Sequence, residues 1–156
     1  MRLPVPGDNY VVLDVMTKEV VSVSPSTVLL DAALLLRASA LRHLPVVEDG
    51  RLVGILTERD VQRCAPSRLI PITEDGYNAV FAETTVGRVM TREPKTVSSQ
   101  TPLLEAITVM QQAKYGCLPV VDDGALVGIL TRGDLIDALQ RVLTEKTVAK
   151  DVTPLT

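Results

Sequence analysis

Leu44-Pro45-Val46-Val47 recurs as Leu118-Pro119-Val120-Val121, 74 residues further on. Leu52-Val53-Gly54-Ile55-Leu56-Thr57 recurs at the same offset as Leu126-Val127-Gly128-Ile129-Leu130-Thr131. Val15-Met16-Thr17 returns as Val89-Met90-Thr91, and Asp60 as Asp134; laid over each other without a gap, residues 14–64 and 88–138 share 23 of 51 positions. Self-similarity of this kind marks a duplicated architecture. One copy of about fifty residues would bury too little apolar surface to stand alone, so the duplication predicts two copies sharing one core. The boundaries read as an N-terminal segment 1–11, a first repeat 12–65, a connector 66–85, a second repeat 86–145 and a C-terminal tail 146–156.

Within a copy the pattern predicts strand, helix, strand, strand, helix. Val20 to Val23 is a short strand candidate, and Ser24-Pro25-Ser26-Thr27 supplies helix-start chemistry. Leu29, Leu30, Ala33 and Leu36 recur at helical spacing to about Ser39. Leu44 to Val47 and Leu52 to Leu56 flank an Asp49-Gly50 pair that reads as a hairpin turn. Thr57 then serves as N-cap of a second helix that ends before Pro66. The second copy repeats this order: a strand at Thr96-Val97, a helix over Thr101 to Lys114, a hairpin around Asp122-Asp123-Gly124 and a last helix from Thr131 to about Leu143. In the connector, Pro66, Pro71 and Gly76 argue against a strand; a loop or a short helix over Tyr77 to Ala82 is expected, with Leu69, Ile70, Tyr77 and Phe81 packing on the body. The fold class expected is mixed α/β (α+β): two β-α-β-β-α repeats related by a pseudo-twofold axis. Their sheets pack together with the helices outside, leaving two equivalent clefts between the copies.

Composition narrows the function. Sixteen Lys and Arg against nineteen Asp and Glu leave a net charge of −3, which argues against a coat for nucleic acid or an anionic membrane. The only aromatics are Tyr10, Tyr77, Phe81 and Tyr115, too few for a single-stranded nucleic-acid platform. Cys64 and Cys117 cannot make a disulfide framework, and with His43 as the only histidine a structural zinc site lacks ligands. The two thiols read as small core fillers. No signal-peptide core or membrane-length apolar run stands in the sequence, so a soluble cytoplasmic chain is expected. Phosphate-loop, dinucleotide-binding, zinc-protease and nucleophile-elbow motifs are all missing, and no enzyme activity is expected.

The sequence Leu-Pro-Val-Val, acidic turn, Leu-Val-Gly-Ile-Leu-Thr, two variable residues and Asp, with Val-Met-Thr upstream, resembles the cystathionine β-synthase (CBS) domain family. The resemblance runs as a tandem pair from about Val12 to Val142, with no catalytic domain expected beside it. It implies a module that binds adenosine-containing ligands and converts occupancy into a change of shape. By that resemblance Asp60 and Asp134 would hold ribose, while Thr57 and Thr131, three residues earlier, would touch ribose or phosphate. The residue chemistry agrees: one carboxylate can accept both hydroxyls of a ribose diol, and the first turn of a helix favours negative charge. The same residues would also serve as an ordinary cap and first-turn acid. Val20, Val21 and Ile55 in one copy, and Lys95 and Ile129 in the other, are the candidate walls of an adenine slot.

The copies differ in charge. Arg42 and His43 precede Leu44, where Gly116 and Cys117 precede Leu118; Glu58-Arg59 stands between Thr57 and Asp60, where Arg132-Gly133 stands in the second copy. The Asp60 cleft, with Arg42, His43, Arg59 and Lys95, is therefore expected to suit an anionic ligand better than the Asp134 cleft with Arg132. The function expected is a non-catalytic regulatory module with AMP, ADP or ATP as regulatory ligand and no required cofactor, acting on an effector protein. An S-adenosylmethionine sensor and a ligand-free dimerising subunit are the alternatives. Apolar helix faces around Val109 and Met110, and around Leu139, Val142 and Leu143, are expected to carry a homodimer of C2 or pseudo-D2 form.

Overall fold

The computed structural model describes residues 9–39, 41–66 and 73–151, without the side chains of 77, 146 and 148–151. The chain divides into two compact units: one of residues 20–95 with 123–126, the other of the segment up to residue 19, 96–122 and the chain from 127 onward. It is a mixed α/β protein with antiparallel strand pairs and helices.

In the first unit, Thr27 Oγ1 accepts the Ser24 N–H at 3.1 Å, and this turn leads into α1 (Leu29–Ala38), which buries Leu29, Ala32 and Leu36. β1 (His43–Glu48) and β2 (Arg51–Thr57) pair antiparallel with a register shift between Val46 and Val47. Asp49 and Gly50 both have positive φ, 50° and 75°, as a two-residue turn twisted to match its strands requires. α2 (Glu58–Cys64) stops at Ala65, whose extended backbone is what a following Pro66 imposes. The connector carries α3 (Glu74–Glu83), capped by Thr73 Oγ1 accepting from Gly76 N–H at 3.1 Å. Short α4 (Val86–Val89) and β3 (Thr91–Arg92) follow, β3 pairing antiparallel with β2. Leu29, Leu44, Val46, Leu56, Phe81 and Val86 form one core. Removing each large member from water contributes roughly 1.5–3 kcal/mol.

The second unit opens with a 3-10 turn, Val12–Asp14, and continues with α5 (Leu103–Ala113), β4 (Cys117–Asp122), the part of β5 (Ala125–Thr131) from residue 127 on, and α6 (Arg132–Asp151). Its core holds Val12, Met16, Ala106, Met110, Leu118, Val120 and Leu130.

The segments that open each repeat pack with the body of the other. Val86 lies in the core of Leu29 and Leu56, and Val12 in that of Leu118 and Leu130. Backbone bonds clip both arms alike: Leu29 N–H to Thr84 O and Val86 N–H to Thr27 O, both 2.8 Å, are matched by Leu103 N–H to Tyr10 O at 2.7 Å and Val12 N–H to Thr101 O at 2.9 Å. The glycine of each Gly-Ile-Leu-Thr run accommodates the arriving arm. A Cβ on Gly54 would stand 2.5 Å from Met90 Sδ and 2.9 Å from Thr91 O; on Gly128 it would stand 2.6 Å from Met16 Sδ and 2.9 Å from Thr17 O.

Five expectations change. In place of the single core expected of the two copies there are two, each completed by the opening segment of the other repeat. The strands placed at Val20–Val23 and Thr96-Val97 shrink to single bridges, Val23 with Val46 and Val97 with Val120, because the chain turns away at once through Ser24-Pro25 and Ser98-Ser99. The last helix runs past Leu143 to Asp151, into the segment read as a tail. The connector helix starts at Glu74, earlier than Tyr77, because Thr73 caps it. Met110 is a core residue, 3% exposed, and so belongs to no self-association face. Phe81 packs as expected; Leu69 and Ile70, and the side chain of Tyr77, lie outside what is described. No described helix is long and apolar enough to cross a membrane.

Candidate functional site

Each hairpin delivers its last strand into a helix through a threonine, and an aspartate follows three residues later. At α2 the two close as a reciprocal cap. Asp60 N–H donates to Thr57 Oγ1 at 3.1 Å, while Asp60 Oδ2 accepts from Thr57 N–H at 2.9 Å and from the Thr57 hydroxyl at 2.8 Å. At α6 the backbone half is the same, with Asp134 N–H on Thr131 Oγ1 at 3.1 Å and Thr131 N–H on Asp134 Oδ2 at 2.8 Å. These bonds satisfy N–H groups that a helix start leaves without partners. The capping role considered for these residues is thus realised, and each carboxylate, with about four lone-pair positions, keeps acceptor capacity beyond it.

The cations expected at Asp60 all lie in its own compact unit. His43 lies directly across from Thr57 in the β1–β2 register, and the Arg42 carbonyl accepts the Glu58 N–H at 3.0 Å, tying the start of β1 to the start of α2. The Arg42, Arg59 and Lys95 side chains are exposed. Lys95 belongs to the same compact unit as Asp60, as do Val20 and Val21. Ile55 pairs with Thr91 and is 7% exposed, and Val21 is 42% exposed. Ile129, also 7% exposed, bridges Thr17 in the unit that holds Thr131 and Asp134, and there Arg132 N–H donates to the Gly116 carbonyl at 3.2 Å. Arg132 is exposed.

Sequence reasoning passed over Thr17. Its hydroxyl donates to Asp134 Oδ1 at 2.8 Å across 117 residues of chain. The signal available was Thr17's place in a repeated Val-Met-Thr, but its counterpart Thr91 makes no such bond among the described residues, so the repeat alone assigns it no role.

Cys117, the counterpart of His43, is buried, and that burial pushes its thiol up to about 12. Cys64 is raised too, first by burial and then by the Asp60 charge. Neither thiol is activated for nucleophilic work.

Two halves of this construction, each ending its hairpin in a Thr-x-x-Asp helix entrance, define a tandem-repeat fold. The sequence profile of the CBS domain matches residues 12–67 and 86–141. A CBS domain-containing protein of Dictyostelium discoideum is 35% identical over 138 residues, covering 84% of this chain and 95% of its own. Among solved structures, CBSX2 in complex with AMP superposes with a TM-score of 0.71 at 34% identity, covering 85% of this chain and 98% of that one. The CBS domain pair of protein MJ0100, in complex with 5′-methylthioadenosine and S-adenosyl-L-methionine, gives 0.67 at 26% identity, over 83% and 99%. The chain belongs to the CBS domain family.

Proposed function

We propose that the chain is a non-catalytic regulatory module that binds an adenosine-containing ligand, AMP, ADP or ATP, at its two Thr-x-x-Asp helix entrances. Asp60 and Asp134 receive the ribose hydroxyls, with Thr57 and Thr131 beside them. Val20, Val21 and Ile55 in one copy, and Lys95 and Ile129 in the other, are the walls proposed for the base. Arg42, His43 and Arg59 favour phosphate at the Asp60 site, where Arg132 alone serves the Asp134 site. The observation that carries this reading is the pair of helix entrances at which an aspartate is fixed by its own backbone with acceptor capacity to spare. The adenosine ligands bound by CBSX2 and by MJ0100 support it. S-adenosylmethionine remains the second reading, favoured by the poverty of cations near Asp134.

Occupancy can shift the protein only through unequal affinity for two shapes, and an effector protein reads that shift. The module acts as a homodimer through α6, where Ile136, Leu139 and Leu143 are more than half exposed along one face.

Calorimetric titration with AMP, ADP, ATP and S-adenosylmethionine tests the assignment. Asp60→Ala is expected to weaken AMP binding about tenfold or more, since a hydrogen bond to a charged group is lost. Asp134→Ala is expected to act less on AMP than on S-adenosylmethionine. Absence of heat with all four at millimolar concentration would leave a ligand-free dimerising subunit as the better account.

A further inference from the structure

The two helix entrances carry the same three residues, an arm threonine, a cap threonine and an aspartate, yet they close differently. At α2 the cap hydroxyl of Thr57 and the Thr57 N–H converge on Asp60 Oδ2, and no described group donates to Oδ1. At α6 the carboxylate is engaged on both oxygens: Oδ2 takes the Thr131 N–H, and Oδ1 takes the Thr17 hydroxyl. The arm backbones do not account for the difference. Thr17 pairs with Ile129 through two bonds of 2.9 Å, and Thr91 holds the equivalent register opposite Ile55.

A ribose diol needs two acceptor positions on one carboxylate. Among the described residues each carboxylate keeps about two, but Asp60 keeps both on Oδ1, whereas Asp134 keeps one on each oxygen, that on Oδ1 beside the Thr17 hydroxyl. We propose that Thr17 sets ligand preference at the Asp134 site, its hydroxyl held on the Oδ1 that an incoming diol must share. A diol ligand there must displace the Thr17 hydroxyl or crowd beside it. A ligand that makes little use of the diol loses nothing. The two sites are thereby made unequal by a residue type they have in common.

This competition presupposes that Asp134 receives ribose, as proposed above, and the experiment separates the two. Full-length protein carrying Asp60→Ala, so that Asp134 is read alone, is titrated with AMP and with 2′,3′-dideoxy-AMP, with and without Thr17→Val. Removing the hydroxyl is expected to tighten AMP about threefold to tenfold, the range of one net hydrogen bond, and to leave the dideoxy compound unchanged. Thr17→Ser, which keeps the hydroxyl, is expected to match the parent, excluding a packing effect of the substitution. Unchanged or weaker AMP binding in Thr17→Val overturns the competition and leaves the ribose assignment standing. AMP binding that the wild type shows but Asp60→Ala lacks, with or without Thr17, removes Asp134 as a ribose site and the competition with it. The same gain for AMP and its dideoxy analogue overturns the diol as the contested group.

Discussion

Cys117 shows how one side chain sets a pH limit on the fold. Its folded-state pKa is raised from 9.0 to about 12 by burial. Its contribution to stability is therefore complete below about pH 9 and is lost as pH rises toward 12, because the unfolded chain gives up the proton first. In that window stability should fall by up to ~1.4 kcal/mol per pH unit on account of this group. Urea denaturation at stepped alkaline pH measures the slope, and Cys117→Ala should flatten it. Gly54 and Gly128 set a steric limit. Alanine at either would push its methyl into a methionine sulfur and a backbone carbonyl, of which only the sulfur can swing aside. We expect each substitution to cost about 1–3 kcal/mol, the usual range for overpacking, seen as a lower urea midpoint with unchanged slope. Glycine's place in the repeated motif is thus fixed by the arm that lies over it.

Among elements, α2 is the one most dependent on its cap. It has seven residues, none of them buried, so its start rests on Thr57 and Asp60. Thr57→Ala should destabilise by about 0.5–2 kcal/mol. Because α6 has twenty residues, Thr131→Ala should be felt less, a comparison readable from two denaturation curves. Hairpins and helices of this kind were legible in the sequence because their signals are local: an Asp-Gly pair between apolar runs, a threonine before a helical period, a proline after it. The Thr-x-x-Asp entrances were legible for the same reason. The exchange of arms was not, since a repeat aligns Val15-Met16-Thr17 with Val89-Met90-Thr91 but is silent on which Gly-Ile-Leu-Thr run each one covers. Nor was the burial of Met110, whose apolar period suits a core and an exposed face equally. Thr17 escaped because its partner is remote in sequence, and the same residue type in the other half does not make the bond.

At the scale of the whole molecule the arms decide what can be removed. Val12 is fully buried and Met16 nearly so in the core that contains Leu118 and Leu130. Deleting residues 1–19 should therefore strip hydrogen-exchange protection from β4 and β5 while leaving β1 and β2 protected, although the deletion lies next to the first repeat in sequence. Charge on the exposed face of α6 tests assembly: Leu139→Glu should shift a dimer to monomer in sedimentation, with little change in the urea midpoint of a residue already 56% exposed. The crossed arms also bear on how the chain is made. Apart from 123–126, the unit holding α1 to β3 is one unbroken stretch, complete once residue 95 is translated. The arm around Val12, synthesised earlier, has no core to enter until Leu130 follows it out of the ribosome. At roughly 5–20 residues per second that wait lasts some seconds. Throughout it, the first-made apolar residues belong to the last-made half.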